Sequence, residues 1–196
     1  MSNNKPPTLL VPPSGPITAH CFRLHPDDAL MPSLKQAASI ILSRIPENRG
    51  GSAFVLTAVG SLKDVTLRFA NASRTDGDEN NGNDIKRYMR RFEIVSLTGT
   101  FSRKDGCHIH ISLADAEGNT IGGHLIDGVV FTTCEVVLGT ADGVEFSREM
   151  DSKTGYSELV SSQIPQPNAG QSVANKITAV MLIAVVGCIV GRLRLK

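Results

Sequence analysis

Residues 106–125 read GCHIHISLADAEGNTIGGHL. From Cys107 to Ala114 apolar and polar residues alternate, which is the period of a strand whose side chains point to opposite faces. Asp115-Ala116-Glu117-Gly118-Asn119 holds the residue types that turn a chain back on itself. Thr120–Leu125 then returns as a second strand, so the segment predicts an antiparallel hairpin. Centring the turn on Glu117 sets the register: His110 and His124 stand equally far from it and therefore face each other. Opposite Cβ atoms lie about 5 Å apart, and His108 joins the same face on a diagonal. Three imidazoles so placed form a candidate metal site, His108, His110 and His124, with zinc as the candidate cofactor. Zinc takes imidazole nitrogens at about 2.0–2.1 Å, and three protein ligands leave its fourth position open. The competing reading is three histidines that hydrogen-bond or stack on a strand face. A slip of one residue in register would carry His124 to the other face. Gly122 and Gly123 let another backbone come close, which suits a ligand or a subunit contact.

Outward from the hairpin, further short runs read as strands: 19–24, 53–60, 65–70, 91–101 and 131–139, with a last one at 144–148. One segment has a different period. Leu34, Ala37, Ala38, Ile41, Leu42 and Ile45 recur at helical spacing, Pro32 suits the first turn and Pro46 stops it. Residues 33–45 are thus the main amphipathic helix. The fold class is α+β, a mostly antiparallel sheet of about seven strands with one helix. Residues 1–18 read as a flexible leader, 19–160 as one domain, 161–176 as a polar linker and 177–196 as an apolar and basic tail. Residues 71–84, dense in Asp, Asn and Gly, read as a loop.

The chain has 196 residues, 41% of them hydrophobic, with no tryptophan, so its core must be largely aliphatic. Its formal net charge is +1, without the basic excess of an unaided nucleic-acid binder. Cys21, Cys107, Cys134 and Cys188 are scattered and match neither a disulfide framework nor a zinc ribbon. They read as buried, reduced thiols of an intracellular protein, cytoplasmic or nuclear. No apolar secretory leader, phosphate loop, nucleophile elbow or H-E-x-x-H motif is present, which argues against an ordinary enzyme. His25-Pro26-Asp27-Asp28 reads as a turn whose carboxylates favour the helix N-terminus. Lys86, Arg87, Arg90 and Arg91 form a small basic cluster that reads as a solvated face. In the tail, Ile177 to Gly191 is apolar except for Thr178. Ile177, Val180, Leu182, Val186 and Ile189 are the candidate membrane residues, with Arg192, Arg194 and Lys196 snorkelling beyond. A C-terminal membrane anchor is the alternative localisation.

Several stretches together resemble the PPC domain, the plants-and-prokaryotes-conserved family. They are Val59-Gly60-Ser61-Leu62, Leu67-Arg68, Arg91 to Thr100, Gly106 to Ser112, Asp115 to Gly118, Gly122 to Leu125, Phe146-Ser147-Arg148 and Thr154 to Leu159. The resemblance covers residues 19–160 in order and implies an antiparallel sheet flanked by helix, assembled as a homotrimer. In plant members the domain follows AT-hooks and recruits transcription factors through a Gly-Arg-Phe-Glu-Ile-Leu stretch. Here Arg91, Phe92, Glu93 and Ile94 match, Arg90 stands for the Gly and Val95 for the Leu. Arg91, Phe92, Glu93, Ile94 and Val95 are the implied partner-binding residues. The three histidines resemble stand-alone prokaryotic members more than plant ones. No Arg-Gly-Arg-Pro core occurs in this sequence, so direct DNA binding is not expected. Two functions follow: a non-enzymatic homotrimeric scaffold associated with transcription, or metal-dependent chemistry or small-ligand binding at His108, His110 and His124.

Overall fold

The computed structural model describes residues 12–70, 84–104 and 106–165. The strands are β1 (Ile17–Leu24), β2 (Gly50–Arg68), β3 (Ile85–Tyr88), β4 (Phe92–Ser102), β5 (Cys107–Ala114), β6 (Thr120–Ala141), β7 (Val144–Asp151) and β8 (Tyr156–Gln163). One α-helix, α1 (Leu30–Ser43), lies between β1 and β2. The fold is α+β with an eight-stranded, mostly antiparallel sheet. The exception is a short parallel pairing of Gly50 and Gly51 with Val144 and Glu145.

Two strands are much longer than their apolar runs. The runs at 53–60 and 65–70 belong to β2, and those at 120–125 and 131–139 to β6. Register shifts along the β2–β6 pairing fall between Val55 and Thr57, and again at three points from Gly60 to Leu67. Such irregularities bend a strand without ending it and blur its alternation. Length lets β2 pair with both β4 and β6, so the pairings β2–β4–β5–β6–β2 close on themselves. Leu62, Leu97, Ile109, Leu113 and Leu125 point inward and are 3% exposed or less. The opposite side chains of β5, His108, His110 and Ser112, point outward. The pleat thus assigns the apolar residues of β5 to the core and leaves its histidines available.

Helix α1 packs mainly against β6, burying Leu30, Met31, Leu34, Ala38, Ile41 and Leu42. It starts three residues earlier than the spacing of Leu34 to Ile45 indicated. Asp27 and Asp28 do not sit in its first turn. Asp27 pairs with Lys63, and Asp28 accepts the backbone N–H of His25. Instead Asp127 on β6 accepts the Met31 N–H at 3.3 Å. At the other end Arg103 donates to the carbonyls of Leu42, Ile45 and Gly50, tying the helix C-terminus to the start of β2.

The expectation of a membrane anchor is corrected. Among the described residues no helix is long and apolar enough to cross a membrane. Ile177, Val180, Leu182, Val186 and Ile189 lie outside the described residues. The physical reason is length. The apolar run would span about 22 Å at 1.5 Å per residue, against a hydrocarbon core of about 30 Å. The loop reading of 71–84 falls almost wholly outside the description too. Of the described cysteines, only Cys134 is buried: Cys107 is half-buried and Cys21 exposed.

Candidate metal centre

The hairpin forms as its alternation indicates. His110 pairs with His124 across β5 and β6, and Ala114 with Thr120. Asp115 locks the turn between them. Its carboxylate accepts the backbone N–H groups of Glu117 and Asn119 at 3.2 and 2.8 Å, and Gly118 N–H donates to its carbonyl at 3.0 Å. Gly118 adopts φ +82°, a conformation costly for a residue with a Cβ. A turn pinned in this way holds the register on which the site depends.

The three rings converge. Their centroids are 5.0 Å apart for His108–His110, 5.2 Å for His108–His124 and 5.5 Å for His110–His124. The Nε2 atoms of His108 and His110 are 3.0 Å apart. One ligand nitrogen from each ring lies within 4.8 Å of the other two. A tetrahedral zinc with bonds of about 2.05 Å would hold its nitrogens about 3.3 Å apart. The 3.0 Å pair is close to that value, and no ligand nitrogen of the set is more than 4.8 Å from another. The residues fit a cation chemically as well: imidazole suits zinc and related transition metals. His124 Nδ1 is buried without a hydrogen-bond partner among the described residues, a cost that a bound ligand could relieve.

Two of the rings are also held in the ligand form. Burial, followed by the nearby Arg68 guanidinium, lowers the His124 pKa to about 4. Burial and then His110 lower that of His108. Both are therefore neutral at pH 7. A histidine depressed in the folded state stabilises the fold above its unfolded pKa, near 6.5, and loses that contribution as pH falls through the folded value. The urea midpoint of the metal-free chain should accordingly drop between pH 6.5 and 4. Asp64, Asp115 and Asp142, whose pKa values are lowered from 3.8, take their effect mainly below that window. A His124→Gln variant should show a flatter profile from pH 6.5 to 4; an unchanged slope would mean that His124 is not held neutral.

The histidines open onto a cleft of 780 Å³. Its floor is the outer face of β5, β6 and the end of β2, and its wall is the β7–β8 ribbon, which brings Arg148, Tyr156 and Glu158. Arg148 donates to Ser157 O at 3.0 Å and to Thr100 Oγ1 at 3.2 Å, fastening the ribbon to β4. Strand β8 begins eight residues beyond the 144–148 run; its sequence is too polar for burial periodicity to reveal it. Gly122 and Gly123 line this cleft and, as expected, let neighbouring backbone come close. A Cβ on Gly122 would meet Ile111 O at 2.7 Å, and one on Gly123 would meet Arg68 O at 2.7 Å. Both glycines serve close packing of neighbouring strands under the histidines.

The other sequence candidates are dispersed. Phe92 and Ile94 point into the core at 2% and 7% exposure, while Arg91, Glu93 and Val95 face solvent. Val95 is the extra residue of a bulge, between the pairs Ile94–Leu113 and Ser96–Ser112. The basic cluster is occupied. Lys86 pairs with Asp84 at 3.0 Å, Arg87 with Asp64, and Arg90 with Asp115 at 3.3 Å. The Arg91 guanidinium lies 4.2 Å from the Phe131 ring centroid. His20 contacts Thr140 Oγ1 at 3.1 Å, and His25 contacts Arg23 at 3.0 Å.

Known proteins share this sequence and fold. Residues 13–142 match the Plants and Prokaryotes Conserved (PCC) domain, which is the PPC family. The chain is 38% identical over 148 residues to the bifunctional protein GlmU of Synechococcus, covering 75% of this chain but 21% of that protein. It thus spans about a fifth of the curated relatives it first matches. A hypothetical protein from Salmonella enterica has 29% identity and a TM-score of 0.62, covering 78% of this chain and 98% of that one. A metal-containing protein from Archaeoglobus fulgidus has 25% identity and a TM-score of 0.55, covering 73% and 93%. With the family's domain matched over most of its described residues, the chain belongs to the Plants and Prokaryotes Conserved domain family.

Proposed function

We propose that the chain is a metal-binding PPC protein that takes up one divalent ion, zinc by preference, at His108, His110 and His124, and binds a small ligand beside it. The supporting observation is the convergence of three imidazole nitrogens at the floor of a cleft. The similar Archaeoglobus protein is described as metal-containing, which agrees with this reading. A zinc ion held by three imidazoles polarises an oxygen of whatever fills its open position. The protein supplies the rest. β5 and β6 fix the three rings, burial keeps two of them unprotonated, and the β7–β8 ribbon adds Arg148, Tyr156 and Glu158 to the wall. Because zinc would bind only the folded chain, it should raise the thermal midpoint. An ion at about 100 times its dissociation constant adds about 2.7 kcal/mol. Scanning the chelator-stripped chain with and without zinc tests this, and an unchanged midpoint at saturating zinc would refute it.

A second reading rests on a different surface. Val95 is 59% exposed on the bulge of β4, with Arg91 and Glu93 on the same segment. An apolar side chain displayed beside charged ones suits a protein partner, as the resemblance to plant members implies. In this reading the chain is a scaffold, assembled as a homotrimer and associated with transcription. Capture of a partner that survives Val95→Asp and Glu93→Lys would count against it.

A further inference from the structure

Three strands place Arg68 in line with the histidines. In the pairing of β2 with β6, Arg68 stands opposite His124; in that of β6 with β5, His124 stands opposite His110. Directly paired residues share a sheet face, so Arg68, His124 and His110 form one row on the outer side. Arg68 is half-buried. Its guanidinium carbon lies 6.0 Å from the Tyr156 ring centroid, and it forms no ion pair among the described residues. A planar fork of donors placed beside a row of ligands, and not ion-paired to a carboxylate among the described residues, is suited to a planar or tetrahedral oxyanion.

Charge in the cleft points the same way. Lys35, Arg68 and Arg148 line it against a single carboxylate, Glu158. Apart from the histidines the lining carries an excess of two positive charges, and a divalent ion would double that. A positive excess lining a cleft favours a negative ligand. The volume, 780 Å³, falls in the range of small-molecule sites and suits a metabolite rather than a polymer.

We propose that the ligand of this site is a small oxyanion, a carboxylate or phosphate, with one oxygen on the metal ion and its negative group held by Arg68. This rests on the metal reading above, and the test separates the two. The full-length chain, its zinc content measured, is titrated calorimetrically with oxalate and with inorganic phosphate, and the titration is repeated for Arg68→Gln. The expected result is one anion per zinc-loaded chain, weakened at least tenfold in Arg68→Gln at unchanged zinc content. Tighter oxalate identifies a carboxylate ligand, and tighter phosphate a phosphorylated one. If zinc is bound but neither anion is, or if Arg68→Gln leaves both affinities unchanged, the oxyanion proposal falls and the metal reading stands. If the wild type holds no zinc, the metal reading falls and takes this one with it. Should Arg68→Gln fail to fold or to hold zinc, Arg68→Lys decides. It keeps the charge but loses the fork, so unchanged affinity for both anions would overturn the role given to Arg68, and a severalfold loss would uphold it.

Discussion

Replacing His124 by alanine should lower zinc affinity by at least about 100-fold, since even the loss of a group that merely orients a ligand costs 10–100-fold. Removing a ligand removes a bond, leaving two imidazoles on neighbouring positions of one strand. His124 is the contribution of the second strand, with its ring 5.2 and 5.5 Å from the other two. Without it the ion would sit on β5 alone, open to water on the side that β6 now closes. The same substitution removes a half-buried ring with an unpartnered nitrogen, so folding should suffer little. A His25→Ala control, changing an exposed ring that contacts Arg23, should leave zinc binding as it is. Competition against a chromophoric chelator gives both affinities. Equal values for His124→Ala and wild type would remove β6 from the site.

Phe92→Ala should destabilise the domain by about 3–5 kcal/mol, the usual cost of emptying a buried phenylalanine site. A domain of this kind commonly has only about 5–15 kcal/mol in total. Phe92 is 2% exposed and meets Tyr88 edge-on with ring centroids 6.2 Å apart; the Arg90 guanidinium covers it at 4.9 Å. Any loss of partner capture in this variant would therefore report unfolding as readily as contact. Val95→Ala, at a 59% exposed site, should change stability by no more than about 0.5 kcal/mol. Urea denaturation of the two variants separates them. A Phe92→Ala midpoint equal to that of Val95→Ala would mean that the side chain is not core, and that the whole Arg91–Val95 stretch is free to meet a partner.

These contrasts show what could be read from the residues and what could not. The hairpin was legible because its alternation is clean and its turn chemistry strong: Asp115 and Gly118 hold the register that sets His110 against His124. Helix α1 was legible through its apolar spacing, apart from Leu30 and Met31, which lie before Pro32 and extend it N-terminally. The continuity of β2 and β6 was hidden, because bulges shift the face period midway and imitate a break. Strand β8 was hidden for the opposite reason: it pairs along its length with β7 but buries almost nothing. Arg68 could not be recognised as a neighbour of the histidines, because a contact between β2 and β6 depends on a pairing register that local pattern does not encode. The segment 91–95 illustrates a further limit. Family resemblance marks all five residues alike, whereas the pleat sends Phe92 and Ile94 inward.

The central claim is that three histidines hold a metal ion, and metal stoichiometry tests it most directly. Native mass spectrometry of the full-length chain, purified without chelator or metal-affinity resin and exchanged into a volatile buffer, would give the mass of the intact protein. The account predicts one zinc-sized increment per chain, absent from a His108→Ala, His110→Ala, His124→Ala triple variant that remains folded. A folded wild type that carries no metal and takes up none when zinc is supplied would contradict it.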